Sequence, residues 1–152
     1  MERGLRERRD LDRGRRLYGI AACAVCHRFG NEGGGVGPDL TAVAGRFNVR
    51  DLLEAIVEPS KVISDQYGAV SIAKKDGRVV TGRVGNLSGN SLNVIEDMFD
   101  PGRSTNVRRE DIEEIQPSKV SPMPAGLLNS LTEEEILDLV AYLLARGESR
   151  DK

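Results

Sequence analysis

The chain has 152 residues, 39% of them apolar and 30% charged, with a formal net charge of -2. This is the balance of a soluble globular chain long enough for one domain with a real core, not of a disordered or membrane-embedded one. Near-neutral charge gives no bulk field for nucleic acid, and with no Trp, three Phe and three Tyr there are few aromatics to stack on bases. No run is long and apolar enough to span a bilayer, and the N-terminus lacks the apolar core of a secretory signal.

The first sixteen residues hold seven arginines against four acids. They read as a solvated arm rather than as a basic docking patch for an acidic partner. A first helix is predicted from about Asp10 to Ala22, with Leu11, Leu17, Tyr18 and Ala21 on or near one face and Asp10 or Asp12 as cap. A short helix is expected over Thr41 to Arg46. In FNVRDLLEAIVEPS, Asn48 is placed to cap a further helix, with Phe47 and Leu52 at hydrophobic-staple spacing. Its apolar stripe is Leu52, Leu53, Ile56 and Val57, and Pro59 stops it.

Between about Tyr67 and Pro117 the period changes from helical to alternating. AVSIAKK, RVVTGRV, SLNVIED, STNVRR and DIEEIQ are separated by Asp76-Gly77, GNLSGN and a loop around DPG. They read as four or five short antiparallel strands in a small meander or partial barrel. The last helix lies in LTEEEILDLVAYLLARG. Thr132 and Glu135 make a capping box, Leu131 and Ile136 a staple, and Ile136, Leu139, Val140, Leu143 and Leu144 the core stripe. Arg146 suits its negative end, and Gly147 is the expected stop.

Both cysteines of the chain and its only histidine fall in one five-residue stretch, Cys23-Ala24-Val25-Cys26-His27. A thioredoxin-like redox pair would open a helix after a strand, but here a helical pattern precedes the motif. A structural zinc site needs four Cys or His ligands, and the chain offers three. C-x-x-C-H also matches a c-type haem attachment site, in which two thiols form thioethers to the porphyrin vinyl groups and the adjacent histidine ligates iron. This last reading accounts for both the residue types and the spacing.

GRRLYGIAACAVCHRFGNEGGGVGPDL, followed far downstream by SPMPAGLLNSLTEEEILDLVAYL, resembles a class I cytochrome c. More narrowly, the stretch from about Asp10 to Gly147 resembles the planctomycete-type haem-binding cytochrome c domain. That domain stands at the C-terminal end of large multidomain proteins and carries an extra block between the middle helix and a Met-Pro segment. The resemblance implies an α+β fold: an all-α class I cytochrome c core with an inserted small antiparallel β-sheet. The core would be residues 10–65 and 119–147, the β subdomain 66–118, and the flexible tails 1–9 and 148–152.

The resemblance also implies residue roles. Cys23 and Cys26 carry the thioethers of a single haem c, and His27 is the proximal iron ligand. The Pro38 carbonyl accepts a hydrogen bond from the second nitrogen of His27, which makes the ring a better donor to iron. Met123, between Pro122 and Pro124, is the distal ligand, with Lys119 as a competitor and Met98 as a packing residue. Gly14 and Tyr142 meet where the terminal helices cross, and Arg46 either hydrogen-bonds a propionate or makes an exposed ion pair.

The function so implied is one-electron transfer by a non-enzymatic haem domain working with a redox partner protein or a fused dehydrogenase domain. A weak or absent sixth ligand would instead allow diatomic-gas sensing or peroxide reduction. No nucleic acid is expected as partner, and the β block is read as a docking surface or lid. Haem c is attached outside the bacterial cytoplasm, so a periplasmic or otherwise exported location is expected. A start at MERGLRERRD without an export signal suggests a domain of a larger exported protein.

Overall fold

The computed structural model describes residues 8–145. Four helices and seven strands follow in the order α1 (Leu11–Ile20), α2 (Cys23–Cys26), β1 (Arg28–Phe29), β2 (Glu32–Gly33), α3 (Val49–Val57), β3 (Val70–Lys74), β4 (Val79–Ser88), β5 (Ser91–Ile95), β6 (Thr105–Arg108), β7 (Ile112–Pro117) and α4 (Glu133–Leu144). The chain therefore combines helices with an antiparallel sheet. It divides into two compact units, residues 8–59 with 125–145, and Ser60–Pro124. The changes of unit fall after Pro59 and Pro124, whereas the resemblance places them near 65 and 119.

In the first unit α1 packs along α4. Asp10 caps α1 by accepting from the Arg13 N–H at 2.8 Å. Gly14, Leu17 and Tyr18 form its buried face. Glycine is required at 14 because a β-carbon there would overlap the Asp138 carbonyl oxygen and stand 2.6 Å from Tyr142 Cβ. The helix ends at Ile20, two residues earlier than its periodicity suggests. Ala22 takes a left-handed conformation, φ 59°, and turns the chain into α2. An alanine pays of order 1 kcal/mol for that backbone, so surrounding contacts must hold it there.

Residues 8–16 of the basic N-terminal segment are not simply a solvated arm. Arg9, its side chain 7% exposed, bonds Glu134 at 2.8 Å. Arg13 bonds the buried Asp138 through Nε and through a terminal nitrogen, both at 2.5 Å. Residues 1–7, the start of the expected tail, lie outside the described residues, as do Arg146, Gly147 and 148–152.

Asn48 caps α3 by accepting from the Asp51 N–H at 2.9 Å. Leu52, Leu53 and Ile56 are buried, but Val57 is 57% exposed, so the stripe is one residue narrower than its spacing suggests. The expected helix over 41–46 is a single 3₁₀ turn, Val43–Gly45. The unit is not purely helical either, since β1 and β2 pair with Arg28 opposite Gly33 and Phe29 opposite Glu32. Thr132 and Glu135 form the capping box that opens α4. That helix is buried over Leu137 to Val140, Tyr142 and Leu143, on more faces than one stripe supplies.

The second unit holds a five-stranded antiparallel sheet in the order β6-β5-β4-β3-β7. Ile72, Leu92, Val94 and Val107 alternate inward and form its core, with Val70, Val80, Val84 and Ile112 packed around them. β4 spans ten residues and serves two partners. Val79–Gly82 pair with β3, and Arg83–Ser88 pair with β5 across a bulge between Val84 and Asn86.

β6 and β7 are the two outer strands, yet only Arg109–Asp111 separate them. In a flat sheet they would stand four spacings apart, about 19 Å. The chain from Arg108 to Ile112 reaches at most about 14 Å. The sheet must therefore curl toward a barrel. The connecting turn is fixed by Arg109 N–H to the Asn90 carbonyl, 2.8 Å, and Lys75 N–H to the Asp111 carbonyl, 2.9 Å.

Candidate functional site

The turn of α2 places Cys23 and Cys26 three residues apart, on one side of the helix. The His27 N–H closes the turn on the Cys23 carbonyl at 2.9 Å. His27 itself is extended, φ -105° and ψ 136°, so its ring leaves the helix path. The glycine-rich stretch that follows runs back along the motif. Gly34 N–H bonds the Ala24 carbonyl, and Gly37 N–H bonds the Cys26 carbonyl, each at 2.8 Å. Leu40 N–H bonds the Arg28 carbonyl at the same distance.

This path brings the Pro38 carbonyl to 2.7 Å from His27 Nδ1. A carbonyl only accepts, so Nδ1 carries the proton. Nε2 is therefore the ring nitrogen left to face a metal. Gly37 leaves room for the ring, since a β-carbon there would stand 2.9 Å from His27 Cε1.

Cys23 and Cys26 are half-buried thiols, not a disulfide. Burial pushes the Cys23 thiol up to about 11, and burial raises Cys26 as well. Neither is a reactive thiolate at neutral pH, which disagrees with a thioredoxin-like pair. Among the described residues no three His, Cys, Asp or Glu side chains are grouped to hold a metal ion. Two neighbouring thiols, an imidazole whose Nδ1 is engaged by a carbonyl so that Nε2 is the nitrogen left for iron, and a glycine that lets the chain approach the ring fit a covalently attached haem.

The other expected residues divide between the units. Arg46 is exposed in the first unit. Asp39, next to Pro38, is held below the usual carboxylate range first by the Thr41 hydroxyl and N–H, and then by the positive fields of Arg28 and Arg46. Met123 lies in the second unit, half-buried, its N–H bonded to the Ser121 hydroxyl at 3.1 Å. Ser121 N–H is in turn bonded to the Ser60 hydroxyl at 3.0 Å. Lys119 is exposed, and Met98 is buried.

Sequence reasoning missed one polar contact at the motif. Tyr18, read as a core residue of α1, donates its hydroxyl to the His27 carbonyl at 2.6 Å. Its only sequence signal is a tyrosine at a buried helical position, where the hydroxyl needs a partner. A separate groove of about 400 Å³ is lined by Val49, Leu53, Val57, Leu128 and Ile136, with Arg50 and Asn129 at its margin. It is apolar and contains no acid–base pair.

Set beside known proteins, the chain is similar to the Cytochrome c family over residues 11–78, from α1 through CAVCH and α3 to the first turn of the sheet. No curated protein matches it. The match covers 68 of the 152 residues. It ends before Met123 and α4. No helix among the described residues is long and apolar enough to cross a membrane.

Proposed function

We propose that the chain is a c-type cytochrome domain that carries one covalent haem and passes single electrons between a donor and an acceptor. Haem, when bound, would supply a one-electron site, and this chain's residues would hold it. Cys23 and Cys26 would anchor the porphyrin, and His27 would present Nε2 to the iron. The Pro38 carbonyl orients the imidazole and raises its basicity. Met123 would offer its thioether as a second iron ligand, favouring the reduced state. Arg46 would reach a propionate.

The carrying observation is the single turn that presents both thiols with His27 Nδ1 2.7 Å from the Pro38 carbonyl. The similarity over residues 11–78 supports the same reading. On this reading the helical unit is the cytochrome core and the curled sheet an insertion of the planctomycete type. The domain would work outside the cytoplasm beside a redox partner or a fused dehydrogenase.

Optical spectra of the haem-loaded protein, oxidised, dithionite-reduced and then exposed to carbon monoxide, test the axial pair. Sharp reduced bands, a weak near-infrared thioether band on oxidation and no response to CO are expected. A high-spin spectrum or ready CO binding would refute closed His27/Met123 ligation and favour gas or peroxide chemistry.

A further inference from the structure

Tyr18 is 2% exposed and lies in an aromatic cluster, with ring centroids 5.9 Å from Phe29 and 6.2 Å from Tyr142. Phenylalanine would fill the same space. The hydroxyl is therefore not explained by packing. It donates at 2.6 Å to the carbonyl of His27, the residue that leaves α2 in an extended conformation. Gly33 encloses the same carbonyl, with no room for a β-carbon. Without the phenol, a shielded carbonyl would lose its donor, a cost that native structures avoid.

We propose that Tyr18 is a positioning residue for His27, its hydroxyl fixing the ligand's backbone while Pro38 fixes the ring. The inference rests on the haem reading above. It adds a connection from the crossing of α1 and α4 to the ligand. α1 is locked on α4 by the close approach at Gly14 and by the Arg13–Asp138 ion pair. Tyr18 lies one turn beyond Gly14 on the same helix. The seating of α1 thus sets where the phenol meets the His27 carbonyl, and that carbonyl sets the tilt available to the imidazole.

The test compares the haem-loaded 152-residue chain as wild type, Tyr18→Phe and Leu137→Val. Leu137 is a buried α4 residue whose trimming lowers stability without touching the hydroxyl. The readouts are covalent haem per chain, thermal midpoint, and the solvent-exchange rate of the His27 Nδ1 proton with its paramagnetically shifted ring resonances. Tyr18→Phe should keep its haem, speed exchange of that proton about tenfold, as expected for one lost hydrogen bond, and displace the ring resonances. Leu137→Val should lower the midpoint and leave both signals near wild type. Equal effects in the two variants, scaling only with the midpoint, would overturn the positioning role. A wild type with no His27-ligated haem would instead sink the underlying function, and this inference with it.

Discussion

Asp138 carries a charge in the most buried stretch of α4, 1% exposed between Leu137 and Leu139. Two contacts with Arg13 and one with the Asp10 N–H at 3.2 Å hold it. Removing one partner of a fully buried pair typically costs about 3–5 kcal/mol, but Arg13 is 40% exposed and water can take over part of its charge. Asp138→Ala should lose stability measurably but by less than that in denaturant titration. The sequence could not reveal this residue, because an aspartate in a helix reads as its solvated face and its partner lies 125 positions away. His27 and its two cysteines were legible because their chemistry is compressed into five adjacent residues. Met123 is proposed as a ligand only through a resemblance. If it ligates iron, Met123→Ala should bind carbon monoxide readily once reduced, where the parent does not, as absorbance would report.

Helix ends follow local chemistry more closely than helix faces do. The Thr132–Glu135 box needs only four residues and was readable in full. Thr132→Ala should cost about 1 kcal/mol. The Glu135 carboxyl sits below its ordinary value because the Thr132 N–H and hydroxyl bond its charged form. Folding therefore favours the ionised carboxylate. Its contribution is fully present above the ordinary carboxylate range and lost as pH falls through the depressed folded value. Thermal midpoints of the parent and Glu135→Gln should differ at neutral pH and converge in acid. The end of α1 was harder to read. Periodicity continued to Ala22, but that residue's left-handed backbone starts the turn into the motif, and nothing in its side chain signals it. Val57 fits the stripe of α3 by spacing, yet it borders an open groove, because burial depends on which elements arrive opposite.

At the scale of the whole chain, alternation revealed strands but not their order. The return of β7 to pair with β3, Val70 opposite Pro117, is a long-range choice. Only the short link after β6 shows that the sheet must curl. Ile72, fully buried on β3, sits in its core. Ile72→Ala should destabilise the sheet unit by about 2–5 kcal/mol, seen as loss of hydrogen-exchange protection in β3, β4 and β7. The function proposed for the chain depends on what CAVCH holds. Its most direct test is the mass of the chain under denaturing conditions, after export alongside haem-attachment machinery. One haem should stay on the unfolded polypeptide, and none on a Cys23→Ser, Cys26→Ser double variant. A wild-type chain that gives up all its haem on denaturation, or never acquires any, would contradict the account.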